Sequence, residues 1–239
     1  MSERLLGLWA HLQTLPVFWL AATLGVFHLA GLLARRMRGF PLANPVGLSI
    51  LTLSLLLTFT GTPYARYFAG GQWIHFLLAP ATVALAVPLY QQKDRIRSLL
   101  TPLLLTLASG SLLAIAASVG IGWALGASPS SLLSLAPKSA TAPVAMGIVE
   151  KLGGIPSLTA AVVILTGVTG AVGAPWVLDR LAIREPAVRG FAMGLVSHGI
   201  GTARAFQESE QTGAFAGLGM GLNALMTAVL VPVLYSVFA

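Results

Sequence analysis

Long apolar runs constrain this chain more than any other feature of its sequence. Each run is near the length of about 20 residues that a helix needs to cross the hydrocarbon core of a bilayer, and none alternates as β-barrel strands do. Charged residues make up only 9% of the chain, against about 25% in an average soluble domain. We therefore predict an all-α, polytopic helical membrane protein, with spans at about 16–34, 45–60, 72–90, 99–125, 156–178 and 212–238.

The links between the runs are short, so we predict one transmembrane domain over residues 1–239 with no soluble module. Much of the net charge of +7 comes from cations that directly follow apolar runs, at 35–38 and 93–97. This is the pattern of cytoplasmic links in membrane proteins, not of a nucleic-acid-binding surface. The basic link at 179–189 fits the same side only if residues 137–154 enter the membrane and return. We favour such re-entrant or broken helices over a full crossing.

Residues 137–154 form a polar segment between two apolar stretches, and their order predicts a short helix. Ser139 and Thr141 are typical N-cap residues, and a proline follows in the first turn. A glycine pair at 153–154 ends the helix. About ten helical residues cover about 15 Å, half of the hydrocarbon core. Free N–H groups at such a helix start, next to the Lys138 ammonium, predict an anion site.

A second polar segment, SHGIGTARAFQESE at 197–210, follows a short apolar piece at 190–196, and we predict a discontinuous helix over 190–208. Glycines near its middle predict a helix break, and Thr202 is expected to cap a new helix with Arg204 in its first turn. An arginine is unfavourable against the helix dipole there. It therefore needs a carboxylate, either that of Glu208 or Glu210 or that of a ligand. Discontinuous helices that meet near mid-membrane are typical of secondary transporters.

Three motifs resemble the LrgB/CidB family of membrane proteins: GGQWIHFLLAPATVALAVPLYQQ, KSATAPVAMGIVEKLGGIPSLTA and VRGFAMGLVSHGIGTARAF. The resemblance covers about 40–238, and the same domain resembles the C-terminal half of the plant plastidial glycolate/glycerate translocator. It implies a secondary transporter of small 2-hydroxy or 2-oxo monocarboxylates, of the glycolate, glycerate and pyruvate class, with H⁺ or Na⁺ coupling left open. The alternative that it implies is an antiholin-like protein that modulates a holin-like partner, cell lysis and murein hydrolase activity.

The two polar segments and the resemblance give one set of candidate substrate-binding residues: Lys138, Ser139, Thr141, Ser197, His198, Gly201, Thr202 and Arg204. Further candidates for ion coupling or for lining the site are Asn44, Glu150 and Glu208. His198 titrates near neutrality, so it could carry a coupling proton. Structural alternatives stay open. Lys138 could extend to the membrane interface, and Arg204 could bridge to Glu208. Glu150 could form a solvated pair with the lysine that follows it.

Three positions depart from the family pattern. Ala142 replaces a second threonine, Gly199 replaces alanine, and Asn223 replaces a small apolar residue. The first departure weakens the polar character expected of the site. Asn44 has an alternative role as the cap of the second span.

The chain has no cysteine and no HExxH, GxSxG or P-loop motif, so we predict neither an enzyme nor a metal or cofactor site. The resemblance implies a multi-pass protein of the bacterial inner membrane, with a small LrgA/CidA-type membrane partner. We expect a homodimer, because elevator-like carriers need a fixed scaffold. Residues 1–62 are the expected scaffold, and residues 70–238 the core that holds the broken helices at 137–154 and 190–208.

Overall fold

The computed structural model describes residues 2–37 and 45–238, so the candidate Asn44 lies outside the described residues. Regular structure in these two ranges is helical throughout, which confirms the predicted all-α class. The helices, in chain order, are α1 Ser2–Leu12, α2 Pro16–Arg36, α3 Pro45–Thr60, α4 Tyr64–Phe76, α5 Leu78–Ala84, α6 Ala86–Gln91, α7 Lys93–Ser98, α8 Leu100–Ala124, α9 Pro129–Leu135, α10 Ala142–Leu152, α11 Pro156–Arg180, α12 Pro186–Phe206 and α13 Glu210–Phe238.

Five of the predicted spans are single helices: α2, α3, α8, α11 and α13. Within the described residues, α2, α8, α11 and α13 are each long and apolar enough to cross a membrane. A helix satisfies its own backbone hydrogen bonds, as a segment surrounded by hydrocarbon must. The chain is therefore a polytopic helical membrane protein, as the sequence predicts.

The predicted third span at 72–90 is wrong as a single helix. α4 begins earlier, at Tyr64, and the chain then passes through the short helices α5, α6 and α7. Pro80 and Pro88 each lie two residues after the first residue of a short helix. A proline fits there because the first N–H groups of a helix have no intrahelical acceptor to lose. Leu77 and Leu85 keep right-handed helical backbone angles, so the chain is kinked before each proline, as the sequence predicts.

The chain divides into two compact units, Met1–Ala84 and Leu85–Ala239. In the first unit, α2 packs against α3 and α4. Trp19 is fully buried there, and its Nε1 donates a hydrogen bond to the carbonyl oxygen of Gln13, 2.9 Å away. Gly70 of α4 allows a close contact with α2, since a Cβ at this position would lie only 2.2 Å from a backbone carbonyl oxygen of α2.

The second unit holds both polar segments, in a bundle that includes α8 to α13. Two apolar clusters join α8 to α13: Leu107 and Phe215 belong to one, and Ile115 and Val231 to the other. From the first cluster to the second, the residue numbers rise along both helices, so α8 and α13 run parallel. Buried polar side chains lie between the clusters, near the middle of both helices. The polar segments converge on this central layer.

Candidate functional site

Helices α9 and α10, with their connection, form the first of two re-entrant hairpins (the first hairpin, residues 129–152). α9 runs back along α8, since Ser118 of α8 donates a hydrogen bond to the carbonyl oxygen of Leu135, 3.2 Å away. α10 then returns beside α9, and just after it the N–H of Ile155 donates to Ser134 Oγ at 2.8 Å. The chain therefore enters and leaves at the same end of the unit, which confirms the expected re-entrant arrangement.

The short helix predicted from the first polar segment is confirmed as α10. Thr141 takes the N-cap position with an extended backbone, but its hydroxyl makes no capping hydrogen bond. Gly153 ends the helix with φ of 85°, a left-handed conformation that favours glycine. Because the Thr141 hydroxyl does not cap it, the start of α10 keeps backbone N–H groups for another acceptor.

Helix α12 folds back on itself and forms the second hairpin (residues 186–206). In its first half, a Cβ at Gly190 would lie 2.1 Å from one backbone carbonyl oxygen of α13. A Cβ at Gly194 would lie 1.9 Å from another carbonyl oxygen, one turn further along α13. In its second half, the ring of Phe206 packs against Gly213 near the start of α13. The first half thus runs parallel to α13 and the second half antiparallel. Such close backbone contact requires small residues at the helix interface.

Arg189 closes the base of the second hairpin. Its guanidinium donates to Glu208 at 2.9 Å, to Asp179 at 2.7 Å and to the carbonyl oxygen of Ile183 at 2.9 Å. A straight helix would hold Arg189 and Glu208 about 28 Å apart, so this contact requires the chain to reverse between them. The hydrogen bond to Glu208 raises the pKa of Arg189 above its ordinary value.

The reversal occurs at His198, whose backbone angles (φ 43°, ψ −137°) depart from those of a helix. Glycine adopts such a positive φ easily, and other residues hold it only under strain. The ring Nε2 lies 2.8 Å from the carbonyl oxygen of Val163 on α11. Since a carbonyl can only accept, Nε2 carries the hydrogen and Nδ1 is left to take up a proton. Gly167 leaves space for the ring, as a Cβ there would lie 2.5 Å from Cε1.

The position of this turn corrects two expectations about the second polar segment. Thr202 is not an N-cap, because its hydroxyl donates to the carbonyl oxygen of His198 at 2.9 Å, one turn back along the chain. Arg204 lies in the last turn of α12, not in a first turn. A cation is favourable at that end of a helix, so the position of Arg204 does not by itself require an anion.

The two hairpins enter the second unit from opposite ends. The first packs near the end of α8, where a Cβ at Gly122 would lie 2.8 Å from a leucine of α9. The second opens near the start of α8, where Arg95 forms an ion pair with Glu185. The basic links at 93–97 and 179–189 therefore lie at the same end, as the expected re-entrant arrangement requires.

The tips of the two hairpins meet at the side chain of Asn223, near the middle of α13. Nδ2 donates hydrogen bonds to the carbonyl oxygens of Ser139 in the first hairpin, at 3.0 Å, and of Leu195 in the second, at 2.9 Å. Oδ1 accepts from Ser111 of α8 at 2.6 Å. In the sequence, Asn223 stood out only as a departure from a family pattern. An amide in the middle of an apolar helix is the signal that could have identified it.

Two hydroxyl groups at the tips are buried without a hydrogen-bond partner in the described part of the chain: Ser139 Oγ and Ser197 Oγ. Ser197 fits closely between two glycines, since a Cβ at Gly170 would lie 1.7 Å from its Oγ and one at Gly201 2.5 Å from its Cβ. A buried polar group left unpaired costs about 1–3 kcal/mol. Such groups are therefore nearly always bonded, and a ligand or water is the expected partner here.

The two candidate cations lie at different distances from the tips. Lys138 is half-buried beside Ser139, and no ion pair of Lys138 occurs among the described residues. Arg204 is also half-buried, and its guanidinium contacts Gln207 Oε1 at 3.5 Å. Arg204 comes six residues after the turn, which corresponds to about 9 Å along a helix. The backbone of Lys138 therefore lies nearer to the tips than that of Arg204.

The candidate acids lie away from the tips. Glu208 binds Arg189 at the base of the second hairpin, so the alternative bridge from Arg204 to Glu208 is not formed. Glu150 and Lys151 are both exposed on α10, which agrees with the alternative of a solvated pair. Glu208 therefore has a structural contact, and neither Glu208 nor Glu150 lies at the hairpin tips.

The chain has sequence relatives in several bacteria. The profile of the LrgB-like family matches residues 23–237. The chain is similar to the holin-like protein CidB of Staphylococcus epidermidis, with 33% identity over 198 residues (83% of this chain, 86% of the relative). It is 36% identical over 193 residues to the uncharacterized protein YwbG of Bacillus subtilis (81% and 86%). It is 29% identical over 218 residues to the antiholin-like protein LrgB of Bacillus mycoides (91% and 94%). No solved structure matches the chain.

Proposed function

The chain belongs to the LrgB-like family, and we propose that it carries small 2-hydroxy or 2-oxo monocarboxylates, of the glycolate, glycerate and pyruvate class, across the bacterial inner membrane. One observation carries this proposal. Ser139 and Ser197, at the tips of two hairpins that enter from opposite ends, each keep a buried hydroxyl without a partner in the described residues. Discontinuous helices around a site near mid-membrane are the arrangement that secondary transporters use.

The substrate class fits the chemical groups available at the tips. A monocarboxylate brings one negative charge, which inside a membrane needs a cation and N–H donors. Lys138 supplies the cation, and the start of α10 after Thr141 supplies the N–H groups. The hydroxyl or keto oxygen next to the carboxylate would then bond to Ser139 or Ser197. In this assignment Arg204 attracts the anion on its way to the tips.

Purified protein in liposomes tests this proposal with labelled glycolate, glycerate and pyruvate. Lys138→Gln should lower uptake about 10- to 150-fold, because it removes a charge-assisted contact of about 1.5–3 kcal/mol. Arg204→Lys should lower uptake less, chiefly by raising KM. Lys151→Gln is the matched control, since this lysine is exposed on α10, and it should transport normally.

Two outcomes would contradict the proposal in different ways. Normal uptake by well-folded Lys138→Gln would assign the carboxylate to another cation, with Arg204 the next candidate. No uptake of any of the three acids by the folded native protein would rule out the carrier function itself.

The names of the relatives favour a second candidate function more directly than they favour a carboxylate. The relative from Staphylococcus epidermidis is named holin-like, and the one from Bacillus mycoides antiholin-like. In this second candidate function, the chain modulates a small holin-like membrane partner of the LrgA/CidA type and, through it, cell lysis. The carrier function draws its support from the geometry, and the antiholin-like function from the relatives.

Lysis measurements separate the two candidates. Cells that lack the gene should lyse at an altered rate, and the native gene should restore the original rate only when the small partner is present. Restoration by Lys138→Gln would favour the antiholin-like function without transport. Failure of the same variant in both lysis and uptake would make transport the basis of the lysis effect. An unaltered lysis rate contradicts the second candidate.

We also propose a homodimer, in which residues 1–62 provide a scaffold for the core at 70–238. A carrier that moves one part through the membrane needs another part that stays fixed. Interfaces between membrane helices are built from closely packed surfaces, and most of α2 and α3 is not buried within the chain. Mass measurement in native lipid tests this assembly, and a population of monomers alone would contradict it.

A further inference from the structure

Every hydrogen-bonding position of the buried Asn223 amide is used. The two Nδ2 hydrogens go to the carbonyl oxygens of Ser139 and Leu195. Oδ1 accepts from Ser111 at 2.6 Å and from Thr227 at 3.5 Å. A carbonyl oxygen can only accept and a hydroxyl can donate, so the chemistry of the partners fixes which end of the amide faces the tips.

The two Nδ2 bonds join segments that are far apart in the sequence. Ser139 lies at the tip of the first hairpin, 84 residues from Asn223, and Leu195 lies 28 residues away, in the last turn before His198. Carbonyl groups in the last turn before a helix break lose their regular partners, so Leu195 is free to accept from a side chain. Both oxygens lie about 3 Å from one nitrogen, which places the two tips within about 6 Å of each other.

Other contacts hold each hairpin to a crossing helix, and at Val163 of α11 both hairpins contact the same residue. The glycines of the second hairpin pack on α13, and His198 bonds to Val163 of α11. Ala140 and Ala145 of the first hairpin pack against α11 at the same residue, Val163. Among the hydrogen bonds of the described residues, Asn223 is the side chain that contacts both hairpins.

We propose that Asn223 is a positioning residue that sets the distance between the two tips. One tip can then move relative to the other only when a bond from Nδ2 breaks. Both bonds go to main-chain oxygens, so Asn223 holds the tips while the hydroxyls of Ser139 and Ser197 remain available to a ligand. This role goes beyond the proposed carrier function, because it applies to any cargo or partner that requires the tips to separate.

Distances between spin labels test the role directly. The chain contains no cysteine, so a label pair can be introduced without first replacing native cysteines. Lys151→Cys on α10 and Ala203→Cys on the second half of α12 are exposed positions on the two hairpins. The labelled chain with native Asn223 should give a single narrow distance distribution.

The decisive variant is Asn223→Asp, which keeps the size and the Oδ1 acceptor of the side chain but removes the two N–H donors of the amide. We expect loss of the single distance and a second population with a different separation. Ser111→Ala is the matched control, because it removes one bond to Oδ1 and none to the tips. It should keep the native distribution.

An unchanged distribution in folded Asn223→Asp would overturn the proposal, because other contacts would then set the distance. Asn223→Ser and Asn223→Ala serve as second variants. If all three fail to fold while Ser111→Ala folds, the proposal is also overturned, because Asn223 then serves the fold and not the position of the tips. Uptake adds a separate readout, in which Asn223→Asp should change the maximal rate more than KM. Absent uptake by the native protein would count against the carrier function alone.

Discussion

The first hairpin reverses direction over residues 136–141, whereas the second reverses at His198 alone. Non-glycine residues with positive φ in the described chain are Ala182 and His198, so the turn of the first hairpin shows no such strain. The conformation of His198 costs about 1–3 kcal/mol and persists only where its surroundings impose it. The difference teaches that local sequence shapes the first tip, while neighbouring helices hold the second in place.

The bases of the hairpins differ in the same sense. The first is closed by a hydroxyl, since Ser134 Oγ accepts from the N–H of Ile155. The second is closed by charges, since Arg189 binds Glu208 and Asp179. The second hairpin therefore depends more on its partners, both at its tip and at its base. Three substitutions test this dependence, each with a counterpart elsewhere in the chain.

The largest effect is expected where the second hairpin meets α13 backbone to backbone. Gly194→Ala would place a Cβ 1.9 Å from the carbonyl oxygen of Ala216, and a main chain yields little. Overpacking typically costs about 1–3 kcal/mol, and occasionally more, so we expect a large fall in Tm in detergent or loss of folded protein. Gly147→Ala in the first hairpin has open space around the new Cβ. It should keep the native Tm or raise it, because alanine favours a helix over glycine by up to about 1 kcal/mol. Equal Tm values for the two variants would show that the two hairpins do not differ in how closely they are packed.

An intermediate effect is expected at the bases. Arg189→Gln leaves Glu208, whose side chain is only 18% exposed, without its cation. We expect a loss of about 1.5–3 kcal/mol in the free energy of unfolding. The pair with Asp179 adds little, because that carboxylate is well exposed. Ser134→Ala removes two neutral hydrogen bonds, one to the carbonyl oxygen of Ser130 and one from the N–H of Ile155, and should cost about 1 kcal/mol.

Denaturant unfolding in mixed micelles measures both base variants. Arg184→Gln is the control for charge, since this arginine is exposed in the same link, and it should unfold like the native protein. A larger loss in Ser134→Ala than in Arg189→Gln would reverse the ranking of the two bases.

The smallest effect on stability is expected at the strained residue itself. His198→Gly relieves a strain of about 1–3 kcal/mol and loses a hydrogen bond worth about 1 kcal/mol. These terms oppose each other, so Tm should change little. Uptake should lose its dependence on pH between about 5 and 8, because the imidazole is gone. His75→Gln, in α4 of the other unit, should keep that dependence. A fall in Tm like that of Gly194→Ala would show that His198 is not strained.

Local signals explain why most of the first hairpin could be predicted from the sequence. The hydroxyl residues and proline before α10, and the glycines after it, act on the backbone next to them, so they mark the helix ends closely. Proline also marks the interruptions at 72–90, where the kinks divide the predicted span into short helices. Signals of this kind reach only a few residues along the chain.

The second tip lay beyond such signals. The turn was expected to fall at a glycine, but it falls at His198, because Val163 and Gly167 of α11 supply a hydrogen-bond acceptor and a space for the ring. The role of Asn223 was missed for the same reason, since its partners come from two distant segments. The sequence predicts that this helix is broken. It does not predict the residue at which the neighbouring helices impose the break.

The length of the hairpin halves has a consequence for how the protein is made. α10 has 11 residues, about 16 Å of helix, and each half of α12 is similarly short. Segments of this length do not qualify for insertion as crossing helices, and lipid cannot satisfy the polar backbone at their turns. The second hairpin therefore has no stable place in the bilayer until α13, which leaves the ribosome after it, has also been inserted. The site therefore forms only after α13 has been synthesised, because α13 supplies the surface on which the second hairpin and its tip are assembled.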